Sequence, residues 1–373
     1  MTRPKRIRVA LVFGGRSAEH EVSVVSARSV AEALDPDRYE LLAVGIDKEG
    51  RWHLLPAPPA LEPGSTAALP SVLPDAGSEV ALAREPDARE LVGPSGEREP
   101  IDVVFPILHG PFGEDGTIQG LLELAGVPYV GGGVLASAVG MDKAVQKVLF
   151  DAAGLRVVSH LVVHEREWLE DPESVEAGAQ SLGYPVFVKP AALGSSVGIT
   201  KVRDSGELGP AMKEALGYGR KALVERSIEG AREIELSVLG NDDPVASVAG
   251  EIVPEGHDFY DYEAKYVDED GARLLIPADL APETLEELQR QAVAAFRAID
   301  GSGMARVDFF LLPSGEIYVN EINTIPGFTT ISMYPKLWEA SGLSYPELIG
   351  RLVDLAIERH RLEERRGRTL PGT

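Results

Sequence analysis

Cysteine is absent from the 373 residues. Disulfide frameworks, thiolate metal sites and cysteine nucleophiles are therefore excluded together, and the absence fits a reducing compartment. No stretch approaches the roughly 18 apolar residues of a membrane-crossing helix. The basic, then briefly apolar start at Met1–Val12 breaks at Gly14-Gly15-Arg16, too early for a secretory signal, and no small-residue cleavage site follows. A soluble cytoplasmic protein with no membrane partner is expected. Positive charge is scarce: 36 Lys and Arg stand against 59 Asp and Glu, a formal net charge of -23. That balance argues against a nucleic-acid partner, whose phosphates it would repel. Two nucleotide signatures are also missing, the Gly-Lys-Ser/Thr of a P-loop and the Gly-x-Gly-x-x-Gly of a dinucleotide fold. An anionic ligand would have to find locally positive ground in lysines, glycine loops and a metal.

The composition that remains is globular, with 44% hydrophobic and 25% charged residues. The length suits two or three domains. Arg6–Phe13 reads as a buried strand, Gly14-Gly15 turns it into a helix from about His20 to Leu34, and Tyr39–Ile46 is the next strand. This βαβ opening implies a parallel sheet. Leu55–Pro100 is rich in Pro, Ala and Gly without a sustained period and reads as an insertion of weak strands and loops. Ile101–Leu108 resumes as a strand, followed by a helix at Gly116–Leu124. Val134–Ala153 is amphipathic. Strands and helices then alternate up to residue 240, with strands expected at 155–163, 184–189, 199–202, 222–228 and 234–239. The last part holds strands around Val245–Ile252, a helix from Pro282 to Ile299, a hairpin at Ala305–Asn323 and a helix from about Pro346.

The hairpin is the most informative segment. Strand side chains alternate, so Arg306, Asp308 and Phe310 share a face. With the turn centred on Ser314-Gly315, Asp308 falls opposite Glu321 and Arg306 opposite Asn323. Two carboxylates and an amide oxygen on one surface suit magnesium, which completes its shell with phosphate and water oxygens. Arg306 beside them could neutralise an oxyanion or a transferring phosphoryl group. A solvated face with cross-strand charge pairs is the plainer account. It explains poorly why charges interrupt such apolar strands at both ends of one hairpin.

Other segments speak less clearly alone. Thr324-Ile-Pro-Gly-Phe could present the bare Gly327 N–H to a developing negative charge, although Pro-Gly turns are common. A strand ending in Lys189 leads into Gly194-Ser195-Ser196-Val197-Gly198, a loop able to lie over phosphates, or equally a plain hairpin turn. Glu225 and Glu233 follow apolar strands and could accept from an adenine amine or ribose hydroxyls; ordinary surface glutamates serve as well. Glu21 near a helix start either favours the dipole or binds a substrate ammonium. The polar loop from His109 to Gly116 follows a strand, where α/β sheets bind ligands, or simply caps and turns. Asp258-Phe259-Tyr-Asp-Tyr-Glu-Ala-Lys265-Tyr266 reads as a loop folding over something, or as a packed surface loop.

In this order the segments closely resemble the D-alanine–D-alanine ligases of the ATP-grasp superfamily. The resemblance rests on Gly14-Gly-Arg-Ser…His-Glu-Val-Ser23, His109-Gly-Pro-Phe-Gly-Glu-Asp-Gly116, Met141-Asp-Lys143 and Gly194-Ser-Ser-Val-Gly198. Phe259-Tyr-Asp-Tyr-Glu-Ala-Lys-Tyr266, Ala305-Arg-Val-Asp-Phe309 and Asn320-Glu-Ile-Asn-Thr-Ile-Pro-Gly-Phe-Thr329 complete it. It implies an α/β fold, α+β in its centre, in a three-domain ATP-grasp architecture with an N-terminal parallel-sheet domain. The expected units are 1–137 for substrate binding, 138–240 for the central part and 241–373 for catalysis. Lys143 and Lys189 would hold the phosphates of ATP, with Ser195, Ser196, Phe259 and Lys265 around the nucleotide. Glu225 and Glu233 would hold adenosine, though Gly230-Ala-Arg-Glu233 is one residue longer than the usual Gly-Arg-Glu. Asp308, Glu321 and Asn323 would bind two Mg2+ (or Mn2+) ions.

The implied reaction has a D-alanine carboxylate attack the γ-phosphate of ATP, after which the amine of a second D-alanine displaces phosphate. Glu21 would bind the first ammonium, linked by Ser195 and Tyr266. His109, Lys265, Ser332 and Met333 would contact substrate, with Lys265 and Ser332 on the second carboxylate. Arg306 and the Gly327 N–H would stabilise the tetrahedral oxyanion. Tyr266, where relatives making D-alanyl-D-lactate typically carry Phe, favours an amine nucleophile. A homodimer is the family's usual state. Rival readings are a related carboxylate–amine ligase, a depsipeptide ligase and a non-catalytic nucleotide binder.

Overall fold

The computed structural model describes residues 5–60, 70–85, 87–194, 197–254 and 272–366. Strand β1 (Ile7–Gly14) is almost wholly buried on both faces and lies parallel to β2 (Tyr39–Ile46) and β7 (Val103–Ile107). A strand covered on both sides is apolar throughout rather than alternating, as its buried part Val9–Phe13 is. Helix α1 (His20–Ala33) joins β1 to β2. The segment read as an insertion supplies β3 (Trp52–Leu55), β4 (Ser78–Leu82), β5 (Glu90–Val92) and β6 (Arg98–Pro100). These short strands prolong the sheet in antiparallel fashion, in the order β6-β5-β4-β3-β2-β1-β7.

Helix α2 (Thr117–Leu124) follows β7. The amphipathic stretch after it forms two helices, α3 (Val134–Met141) and α4 (Lys143–Ala152). Asp142 between them is extended and its carboxylate accepts the Ala144 and Val145 N–H groups, capping α4.

The second sheet is antiparallel, in the order β10-β9-β11-β8, from β8 (His160–His164), β9 (Val186–Pro190), β10 (Thr200–Val202) and β11 (Lys221–Arg226). Helices α5 (Glu165–Glu170), α6 (Pro172–Leu182) and α7 (Ser205–Gly217) accompany it, and Ala179 and Met212 share its core with Val188 and Val224. The third sheet runs β14-β13-β12-β15-β16, from β12 (Arg232–Gly240), β13 (Val245–Pro254), β14 (Ala272–Leu275), β15 (Gly303–Leu311) and β16 (Ile317–Asn323). Helix α8 (Pro282–Ala298) packs on it, and α9 (Met333–Ala340) and α10 (Tyr345–Arg365) complete the described chain.

Sheet membership follows contacts rather than chain order. The strand expected to close the central unit, Ile234–Leu239, is β12 and pairs with β13 and β15 of the third sheet. Its apolar side chains Ile234, Leu236 and Val238 are fully buried with Leu288 and Phe309. Helix α3, which spans the boundary expected at 137, and helix α4 beyond it contribute Ala136 and Phe150 to that same core. Helix α10 leans on the first sheet, with Leu348, Ile349, Leu352 and Val353 in one cluster with Val9, Leu11 and Phe105. Arg359 of α10 completes this join. Its guanidinium stands 4.4 Å from the Tyr129 ring centroid and donates to Ser302 Oγ at 2.7 Å and to the Gly131 carbonyl. Periodicity reveals which face of an element is apolar, but not which sheet will cover it.

Candidate active site

The hairpin β15–β16 has the expected register, with Arg306 opposite Asn323 and Asp308 opposite Glu321, and a bulge after Asp308. Arg306 grips Asp308 with two bonds, Nε to Oδ1 and Nη2 to Oδ2, both 2.7 Å. Its Nε also lies 3.0 Å from Glu235 Oε2 on β12. Burial opposes the charge on Arg306, but Asp308 and Glu235 outweigh it and hold the guanidinium protonated. Glu235 escaped the sequence reading, although it shares a strand face with Glu233 two residues earlier.

Across the hairpin, Glu321 forms a 2.9 Å ion pair with Lys143 at the start of α4. Burial acts against the Lys143 ammonium, yet Glu321 more than compensates and its pKa is raised. The same ammonium donates to the Leu193 carbonyl at 3.0 Å, and the Lys143 N–H to Ala191 O at 2.8 Å. Helix α4 thereby ties the loop after β9 to the hairpin. Gln146 adds a second tie: it donates to Ile322 O at 3.2 Å and accepts the Ile322 N–H at 3.1 Å. Asn323 Oδ1 accepts the Ile325 N–H at 3.1 Å.

Lys189 at the end of β9 and Glu225 on β11 form an ion pair of 2.5 Å. The other Glu225 oxygen lies 2.8 Å from Lys147 Nζ, in a helix turn below Lys143. Burial pushes the Glu225 carboxyl up, but Lys147 and Lys189 prevail and bring it down to about 2. Lys143, Lys189, Glu225, Glu233, Asp308 and Glu321 all line one cleft of about 570 Å³ between the second and third sheets. That volume is in the range of small-molecule and cofactor sites.

The first sheet delivers a further cluster at its carboxyl edge. Gly14 ends β1 at φ +88, and a Cβ there would meet the Ile46 carbonyl at 2.3 Å, so the turn into α1 requires glycine. That turn sends Glu19 and Glu21 in different directions. Glu21 is not brought to the site: its carboxylate is paired with Lys48 at 2.6 Å. Glu19 is. Its Oε2 would be 2.6 Å from a Cβ at Gly110 and 3.4 Å from one at Gly194, so it reaches across to the glycine loop of the second sheet. The reason is angular: residues two apart at a helix start point roughly 200° apart, and α1 begins directly after Glu19.

Glu19 faces two buried groups. Glu114 accepts the Gly110 N–H at 2.6 Å; burial, reinforced by the Glu19 charge, pushes its carboxyl up to about 8. His109 is buried, with Nδ1 3.2 Å from Ile325 O and Nε2 3.3 Å from Ser26 Oγ, and burial lowers its pKa. Its ring therefore ties the loop after β7 to the loop after β16. Glu19 and Glu114 are the residues the sequence reading missed here.

The loop after β16 is pinned by Phe328, fully buried with its ring centroid 5.9 Å from Phe105 and 5.7 Å from both Tyr334 and Tyr345. The preceding Gly327 is partly exposed beside Ser332, whose Oγ accepts the Thr329 N–H at 3.1 Å. Met333, expected to contact substrate, opens α9 with its side chain turned inward. It is buried, and a Cβ on Gly250 would meet its Sδ at 2.8 Å, because the start of α9 needs an apolar anchor under β13. Ser195, Ser196, Phe259, Lys265 and Tyr266 lie outside the described residues.

The donors present fit magnesium. Asp308 and Glu321 face each other across the hairpin as hard-oxygen donors, with Asn323 two residues further along the strand. Among the described residues no group of three or more His, Asp or Glu surrounds one point. Magnesium takes one or two carboxylates and draws its remaining oxygens from phosphate and water, a demand that the Asp308 and Glu321 oxygens can meet.

Two antiparallel sheets closing on a lysine- and carboxylate-lined cleft, beside a domain built on parallel strands, define the ATP-grasp class of fold. Residues 149–354 match the family described as D-ala D-ala ligase C-terminus, and residues 8–132 that described as D-ala D-ala ligase N-terminus. The D-alanine–D-alanine ligase of Heliobacterium modesticaldum is 52% identical over 362 residues, 96% of each chain. That of Thermoanaerobacter pseudethanolicus is 52% identical over 357 residues, 95% of this chain and 97% of its own. Among solved structures, the D-alanine–D-alanine ligase from Coxiella burnetii superposes with a TM-score of 0.83 at 37% identity, covering 97% of each chain. The VanG D-Ala:D-Ser ligase from Enterococcus faecalis gives 0.81 at 34% identity, covering 94% of this chain and 100% of its own. The chain belongs to the D-alanine–D-alanine ligase family.

Proposed function

We propose that the protein joins two molecules of D-alanine into D-alanyl-D-alanine, consuming ATP and releasing ADP and phosphate, as a step in peptidoglycan precursor synthesis. The observation that carries this reading is the meeting of Asp308 and Glu321 with Lys143 and Lys189 on one cleft. A free carboxylate is a poor electrophile and must be activated. The carboxylate of the first D-alanine attacks the γ-phosphorus, ADP leaves, and D-alanyl phosphate forms. The amine of the second D-alanine then attacks the carbonyl carbon, loses a proton, and phosphate departs with its oxygen.

Lys143 and Lys189 draw the triphosphate into a cleft whose surroundings are acidic. Glu225 and Glu233 take the nucleoside end. Asp308, Glu321 and Asn323 would hold two Mg2+ ions, or Mn2+ in their place. Bound metal screens the repulsion between carboxylate and phosphate. Arg306 and Lys143, paired with Asp308 and Glu321, stand beside the carboxylates that would hold the metal and would face the anions that arrive. Arg306 and the Gly327 N–H then face the oxyanion of the second step.

Glu19 takes the ammonium of the first D-alanine, the role expected of Glu21. Its reach to Gly194 supports a link through Ser195 and Tyr266 to this carboxylate. Lys265 and Ser332 take the second carboxylate. The exposed apolar side chains Leu121, Leu124, Val134 and Leu135 at α2 and the start of α3 support self-association as a homodimer. Light scattering of the purified protein decides that point. No helix among the described residues is long and apolar enough to cross a membrane, and a cytoplasmic site of action is proposed.

The test is phosphate release from ATP with D-alanine, L-alanine, D-serine or D-lactate supplied separately. D-alanine alone should give strong turnover; D-serine enters because one structural neighbour is a D-Ala:D-Ser ligase. Nucleotide binding without D-alanine-dependent phosphate release would overturn the reading. Asp308→Ala or Glu321→Ala should abolish both half-reactions.

A further inference from the structure

Lys147 has no place in the chemistry described so far, yet its side chain is wholly buried, with 0% of it exposed. It lies one helical turn beyond Lys143 on the same face of α4. Lys143 reaches Glu321 on β16, whereas Lys147 reaches Glu225 on β11 at 2.8 Å, behind the cleft wall that Glu225 and Lys189 form. Glu225 thus carries one ammonium on each oxygen, Lys147 on the protein side and Lys189 on the cleft side.

We propose that Lys147 is a positioning residue that holds the Glu225 carboxylate from behind and so leaves Lys189 free to transfer from Glu225 to an incoming nucleotide. The inference rests on the reading of Lys189 and Glu225 as nucleotide-cleft residues. The charge count is the physical reason. Two lysines and one glutamate leave a surplus positive charge, and the surplus sits on the cleft side. Without Lys147 the remaining pair would be neutral and closed. Moving Lys189 onto a phosphate or a ring nitrogen would then strand a buried carboxylate, a costly state in a low-dielectric interior. With Lys147 in place Glu225 keeps a partner throughout. Burial lowers the pKa of Lys147, Glu225 partly restores it, and the nearby Lys189 charge lowers it further.

The experiment measures ADP binding by calorimetry on the full chain, together with KM for ATP and kcat. Lys147→Met should weaken ADP binding and raise KM for ATP by about tenfold to a hundredfold, with a much smaller fall in kcat at saturating ATP. Lys147→Arg should restore most of the affinity. A folded Lys147→Met variant that binds ADP like the wild type overturns the inference, as does an equal loss in kcat with KM unmoved. If Lys147→Met does not fold, the double variant Lys147→Met/Glu225→Gln strands no buried carboxylate and replaces it. Affinity equal to or better than that of Glu225→Gln alone supports action through Glu225, and a further tenfold loss overturns it. Lys189→Met separates the two levels. If it leaves ADP binding intact, the nucleotide reading of the cleft fails; if it weakens binding while Lys147→Met does not, only the present inference fails.

Discussion

Glu19→Gln and Glu21→Gln are nearly identical perturbations, two residues apart, with sharply different expected outcomes. The Glu21 carboxylate meets Lys48 at 2.6 Å, with 57% of the lysine side chain and 25% of the glutamate side chain exposed. Exposed ion pairs of this kind contribute about 0.2–1 kcal/mol. Glu21→Gln should therefore lower stability by no more than that and leave KM for D-alanine within about twofold. Glu19 instead projects over Gly110 toward Gly194 and faces Glu114 and His109. A hydrogen bond to an ammonium is worth roughly 1.5–3 kcal/mol, so Glu19→Gln should cut kcat/KM for D-alanine by roughly 10- to 150-fold. The assay is phosphate release over a range of D-alanine concentrations at saturating ATP, with urea unfolding of each variant in parallel. A tenfold loss in Glu21→Gln, with Glu19→Gln near wild type, would refute the placement of the substrate ammonium.

Three further outcomes follow from the same geometry. Glu114, raised to about 8 by burial and by Glu19, holds more protons folded than unfolded. Its contribution to stability is complete below pH about 4.5 and is lost as pH rises through 8. Urea unfolding at pH 6 and 8 should show the wild type losing about 2 kcal/mol more than Glu114→Gln over that interval; equal losses would refute the shift. Arg359→Ala removes the stack on Tyr129 and the bonds to Gly131 and Ser302 that tie α10 to the segments after β7 and before β15. Unfolding midpoints should report a loss of about 2–4 kcal/mol. Tyr266→Phe should raise the use of D-lactate relative to D-alanine in a competition assay, and an unchanged ratio would remove Tyr266 from the selection of the nucleophile.

Much of the site was readable because it is local. The alternation of Arg306, Asp308 and Phe310 and the Ser314-Gly315 turn fix which residues oppose which, and the register agrees at both Asp308–Glu321 and Arg306–Asn323. The apolar run of β1 and the helix that follows it were equally plain. Glu19 was passed over for Glu21 because both follow the glycine turn. The choice depends on where the first helical turn begins, a matter of one or two residues. Glu114 and Glu235 were invisible for another reason. Each is a carboxylate whose importance lies in what surrounds it, a buried loop in one case and Arg306 in the other.

The sequence by itself determined the elements, the pairing within the hairpin and the membership of the family, since all three depend on residues close along the chain or on motifs in a fixed order. Only the tertiary structure decided that α4 braces two sheets through Lys143 and Lys147, that β12 joins the third sheet, and that α10 returns to the first. Those contacts join segments remote in sequence. They are selected by which apolar faces fit together in three dimensions, which no local period encodes.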